Sequence, residues 1–156
     1  MKLSMRRGAI VEIIAALLIL LFLYTSVSKF VDFKGFVFDM YNQPFPNWIK
    51  PILIWSVPIL EILISLALMF DKLRIFGFWG SFVIMTMFTI YAATVLANFF
   101  GRIPCSCGGV IKYLSWNQHL IFNVFFVSIS AIGIWLSNKL PKSTRKIKNV
   151  EQIAFH

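Results

Sequence analysis

Four long apolar runs, residues 9–27, 52–70, 75–100 and 116–136, take up most of the chain, and short polar segments separate them. At 1.5 Å of rise per residue, ~20 helical residues cross a hydrocarbon core of ~30 Å, so each run is long enough to span a bilayer. The third has length to spare for tilt. The pattern predicts an all-α, integral membrane four-helix bundle. Its transmembrane domain occupies residues 1–138, and a basic cytoplasmic tail occupies 139–156. The basic N-terminus ahead of an apolar run resembles a secretory signal, but the run is too long and lacks a convincing small-x-small cleavage site, so it reads as an uncleaved first helix.

Between the runs, residues 28–50 carry Phe30, Phe33, Phe36, Phe38, Tyr41, Phe45 and Trp48, with Pro44 and Pro46 as helix breakers near the end. Aromatic rings favour the headgroup region, so a short interfacial helix or a cap over the bundle is expected from Lys29 to Tyr41. The turn at 71–74 is so short that the second and third spans must be antiparallel neighbours. Gly77, Ser81, Ala93, Ala97, Ser130 and Gly133 are small residues at which helices in lipid can approach. No internal repeat or soluble domain is visible.

Composition agrees with the pattern. Hydrophobic residues make up 59% of the 156, and charged residues only 13%. No soluble domain of this size hides so many apolar runs behind so few polar residues.

Charge adds orientation. With the N-terminus inside, the inner segments hold ten basic residues: Lys2, Arg6, Arg7, Lys72, Arg74, Lys139, Lys142, Arg145, Lys146 and Lys148. The outer segments hold five: Lys29, Lys34, Lys50, Arg102 and Lys112. Lys and Arg resist translocation, so both termini are expected in the cytoplasm. The net charge of +9 calls for no nucleic acid, because half of the inner basic residues form one tail that suits anionic lipid headgroups.

Candidate chemistry begins at residues 101–115, where three glycines and a proline accompany both cysteines of the protein, Cys105 and Cys107. The charge argument puts them on the outer, oxidising side. A Cys-x-Cys bridge closes almost no loop and is strained, which favours an exchangeable over a structural disulfide. Arg102, Lys112 and His119 are placed to favour a thiolate. Two other readings stay open: a soft-metal site, for which the pair supplies only two ligands, and a purely structural loop. No metal is assigned.

Three other polar positions stand out. Glu61 lies midway along the second span, an expensive place for a carboxylate. No Lys or Arg is expected at its depth, so it should be neutral or strongly hydrogen-bonded, either as a proton carrier or quinone contact or as an interhelix tie. Pro58 and Ser65 share its face, and Thr86 and Thr89 reach a similar depth. His119, in the first turn of the fourth span, is either an interface anchor or the general acid or base for the cysteine pair. Glu12 can snorkel toward Arg6 and Arg7, while Tyr24, Ser28, Lys29, Asn98, His119 and Asn123 gather polar groups in the outer half of the bundle.

The stretch Arg-Ile-Pro-Cys-Ser-Cys-Gly-Gly before the fourth span, with Pro58-x-x-Glu61 in the second and Tyr24-x-x-x-Ser28-Lys29-Phe30 closing the first, resembles the MauE branch of the DoxX-like membrane proteins. The resemblance runs from the first helix to the end of the fourth. The element Cys105-x-Cys107-x-Gly109 is its most specific part, and Gly108 departs from the aromatic residue common before that glycine. It implies a redox-associated protein of the bacterial inner (cytoplasmic) membrane that supports disulfide formation or electron transfer for a periplasmic partner, often a thioredoxin-like one. The onward carrier is left as a quinone or a second membrane protein. A second cysteine pair, as a self-contained quinone-linked oxidase would use, is absent from the sequence. The competing expectation is a non-catalytic scaffold or stabilising subunit of a larger membrane complex.

Overall fold

The computed structural model describes residues 2–99 and 115–139, with side chains from residue 7 onward. Among these residues the chain is entirely helical: α1 (Lys2–Val31), α2 (Phe33–Tyr41), α3 (Lys50–Met69), α4 (Arg74–Leu96) and α5 (Trp116–Lys139). All but α2 are long and apolar enough to cross a membrane. Both cysteines and the basic tail lie outside the described residues.

The four long helices close a ring in which α1 packs on α3, α3 on α4, α4 on α5 and α5 back on α1. Two contacts fix the register of α3 on α4: a Cβ built on Gly77 would lie 2.8 Å from the backbone nitrogen of Leu68, and one on Gly80 would lie 3.0 Å from Ile64. For α4 on α5, a Cβ on Gly133 would lie 2.7 Å from the Phe78 ring, and at the opposite end Tyr91 meets Trp116 edge-on at 6.4 Å. Both pairs are antiparallel. The expectation of close approach therefore holds at Gly77, Ser81, Ser130 and Gly133, all of them buried. It fails at Ala93 and Ala97, which face outward, because the inward face of α4 at that level is Ala92 and Val95.

The core is a stack of large apolar side chains, Leu18, Phe22, Leu68, Phe78, Met85 and Phe126 among them. Outward faces carry Leu20, Ile13, Phe76, Met87 and Ile121. Apolar residues inside and outside alike are what a helix needs when its solvent is lipid.

The helix ends refine the expected boundaries. α1 runs on to Val31, past the expected end at residue 27. α4 stops at Leu96, and Asn98 follows with φ of 52°, a left-handed residue that ends a helix. The expected cap exists as α2: Asp32 accepts from the Gly35 backbone N–H at its N-terminus, and Phe36 and Met40 pack on Ile54 of α3. The Phe33 and Trp55 rings meet at 5.4 Å, which ties the cap to the bundle.

Candidate functional site

The sharpest polar feature inside the bundle is an ion pair between α1 and α3. Lys29 Nζ donates to both carboxylate oxygens of Glu61, at 2.8 and 3.0 Å, and lies 3.4 Å from the Thr25 carbonyl oxygen. Glu61 is fully buried. The expectation that no cation shares its depth is thus corrected. Each Cα–Cβ bond in a helix tilts toward its N-terminus, so a lysine in the last turn of α1 points back along the helix, and its four-carbon stem carries the ammonium inward to Glu61.

The surroundings of the pair are built as the spacing of α3 predicts. Pro58, Glu61 and Ser65 are all buried on one face. Ser26 of α1 donates to the Pro58 carbonyl oxygen at 3.2 Å, and Ser65 donates to the Glu61 carbonyl oxygen at 2.9 Å. Thr86 and Thr89 return their hydroxyls to their own helix, at Phe82 and Met85.

A second cluster sits where α4 ends and α5 begins. The Tyr91 hydroxyl donates to Gln43 Oε1, and Gln43, in the segment after α2, is itself buried. Tyr91 also packs on Phe45 at 5.2 Å and on Trp116 at 6.4 Å. Trp116 then lies nearly parallel to the His119 imidazole, 9° apart in plane at 5.9 Å. This row of rings joins the segment after α2 to the first turn of α5. Sequence reasoning missed Gln43 and Tyr91, since neither sits in a motif.

His119 is half-buried, and Asn123, one turn further along the same face of α5, is 2% exposed. Both carry orphaned polar atoms: His119 Nδ1 and Asn123 Nδ2 are buried and make no hydrogen bond. Of the other polar groups expected nearby, Tyr24 and Asn98 face outward, and Lys29 turns inward to Glu61. Among the described residues, no group of three or more His, Cys, Asp or Glu side chains is arranged to hold a metal ion.

With that geometry in place, comparison with known proteins matches residues 7–136 to the family of the methylamine utilisation protein MauE. The chain belongs to the MauE family. No curated protein and no solved structure matches it. The MauE match takes in all four apolar helices together with the segment that holds Cys105 and Cys107, and it ends before the basic tail. Family membership and four membrane-spanning helices together make this a multi-pass membrane protein associated with the lipid bilayer.

Proposed function

We propose that this MauE-family protein is a redox-associated component of the bacterial inner membrane whose Cys105 and Cys107 exchange thiols and disulfides with a periplasmic partner. Both termini face the cytoplasm in this reading. The partner is a thioredoxin-like protein or another membrane subunit. The family's name ties its members to methylamine utilisation, which fits an accessory role in preparing another protein's redox chemistry.

One observation carries the reading: the only two cysteines stand one residue apart, in the segment between α4 and α5. The helix order supports the orientation. Arg7, the turn with Lys72 and Arg74, and Lys139 belong to one end of the antiparallel bundle, while Trp116 and α2 belong to the other.

The exchange is balanced as two substitutions at sulfur. One cysteine, as thiolate, attacks the partner's disulfide, forming a mixed disulfide and releasing one partner thiolate. The second cysteine then attacks the mixed disulfide, closing Cys105–Cys107 and releasing the other partner thiolate. Two electrons pass to the partner, and the reverse sequence returns them. His119 is the base that takes the first thiol proton, with its ring steadied against Trp116.

The experiment is replacement of each cysteine by serine, with the partner's redox state and assembly read separately. Loss of exchange in an intact complex supports the reading. Retained exchange in the Cys105→Ser and Cys107→Ser variants overturns it, and lost assembly favours a scaffold.

A further inference from the structure

Nine residues make a poor helix on their own, and α2 is held as one from both ends. Asp32 caps its N-terminus by accepting from the Gly35 N–H. At its C-terminus the Lys50 ammonium donates to the Tyr41 carbonyl oxygen at 2.9 Å, where the helix dipole favours a cation. Phe36 and Met40 seal one face onto Ile54. Helical spacing puts Lys34, Phe38 and Tyr41 together on the opposite face, and all three are exposed, Phe38 at 67%. Lys34 joins no ion pair among the described residues. A short helix pinned this firmly thus presents an aromatic and basic stripe with nothing packed over it.

The level of α2 in the bundle decides what meets that stripe. Phe33, its first residue, packs on Trp55, and Trp55 shares the outward face of α3 with Ile52, Ile59 and Leu63, all exposed. Tyr41, its last, is reached by Lys50, the first residue of α3. α2 therefore lies beside the opening turn and a half of α3 and not beyond its end, because five residues from Lys50 to Trp55 rise only about 8 Å. A charged residue followed so closely by a lipid-facing tryptophan brackets the boundary between headgroups and acyl chains, the level at which interfacial helices rest. The exposed face of α3, one of the four membrane-spanning helices, continues directly into the stripe of α2.

We propose that the Lys34–Phe38–Tyr41 face of α2 binds the phospholipids of the leaflet at that end of the bundle. Phe38 enters the upper acyl chains, the Tyr41 ring lies among the headgroups, and the Lys34 stem carries its ammonium to a lipid phosphate. The contact needs neither cysteine and is independent of thiol exchange. It has a consequence for α4 as well: Tyr91 holds Gln43, two residues after α2, so lipid that seats α2 also sets the level of that end of α4 against the membrane.

The test uses the full chain in nanodiscs of phosphatidylcholine and phosphatidylglycerol, in a Cys105→Ser/Cys107→Ser background, with a nitroxide attached at Phe38→Cys. Collisions with oxygen, which concentrates in lipid, are compared with collisions with a water-soluble nickel chelate. Leu63→Cys on the exposed face of α3 supplies the lipid reference, and Lys72→Cys in the turn before α4 supplies the aqueous one. Phe38 and Lys34 are both exposed, so neither substitution removes packing inside the protein. The label at position 38 should favour oxygen over nickel, as at position 63. Adding Lys34→Glu, which sets a carboxylate against the phosphates, should shift it toward nickel. A label as open to nickel as the one at position 72 would place the stripe in water, free for a soluble protein, and a label open to neither reagent would mark a face covered by protein; either overturns the lipid contact. Unchanged collisions in the Lys34→Glu variant would overturn the phosphate contact.

Discussion

Lys29 of α1 and Glu61 of α3 form a two-pronged ion pair inside the bundle, with both carboxylate oxygens within 3.0 Å of one ammonium. The side chains are 12% and 2% exposed, so the carboxylate is shut off from solvent and the ammonium largely so. Breaking a buried pair by removing one partner strands the other, which typically costs about 3–5 kcal/mol, whereas replacing both by apolar groups is often close to neutral. Glu61→Leu alone should therefore destabilise the protein strongly. The double variant Lys29→Met/Glu61→Leu should recover most of the loss, as measured by thermal unfolding in nanodiscs. Equal damage in the single and double variants would show that Glu61 is held by something other than Lys29.

The helix contacts predict a graded glycine series. At Gly77 an added methyl meets the backbone nitrogen of Leu68 at 2.8 Å, which cannot move without shifting α3. At Gly133 it meets the side-chain ring of Phe78 at 2.7 Å, and at Gly8 it meets nothing within 4 Å. Gly77→Ala should cost about 1–3 kcal/mol as an overpacked contact, Gly133→Ala less, and Gly8→Ala nothing measurable. Unfolding titrations of the three variants check the order.

The spans and the cap could be read from the chain because they depend on run length and on aromatic clustering, which are local properties. The ion pair could not. The drop in hydropathy after Val27 looks like the end of a helix, yet α1 continues to Val31 and brings Lys29 within reach of Glu61. The same blindness affected Lys50, counted as a charge of the outer loop but buried, with its ammonium held by the Tyr41 carbonyl oxygen and Asn47 Oδ1. A long side chain's destination depends on a neighbour distant in sequence, and no spacing rule reports it. Gln43 was invisible for the same reason, since its partner Tyr91 is 48 residues away. The polar face of Pro58, Glu61 and Ser65 was legible because helical periodicity alone sets it.

The Gln43 and Tyr91 contact holds the segment after α2 against the end of α4. Tyr91→Phe keeps the ring packing on Phe45 and Trp116 and removes only the hydroxyl. The expected loss is about 1 kcal/mol of stability, with faster amide hydrogen exchange concentrated between residues 33 and 49. Unchanged exchange there would show that this hydrogen bond does not pin the cap.

Orientation has its own test. In a Cys105→Ser/Cys107→Ser background, Lys34→Cys and Lys72→Cys place single thiols on exposed positions at opposite ends of the bundle. A membrane-impermeant maleimide added to spheroplasts should label the first at once and the second only after permeabilisation. The reverse order would invert the assignment and put the native cysteine segment in the cytoplasm.

The most direct measurement is the redox state of Cys105 and Cys107, by thiol trapping of the purified protein across a series of defined dithiol buffers. Thiol exchange predicts a reversible two-electron transition at a potential well above that of structural disulfides, which lie below roughly −300 mV. A pair that never changes state across the series would contradict the proposed chemistry and leave the bundle as a scaffold.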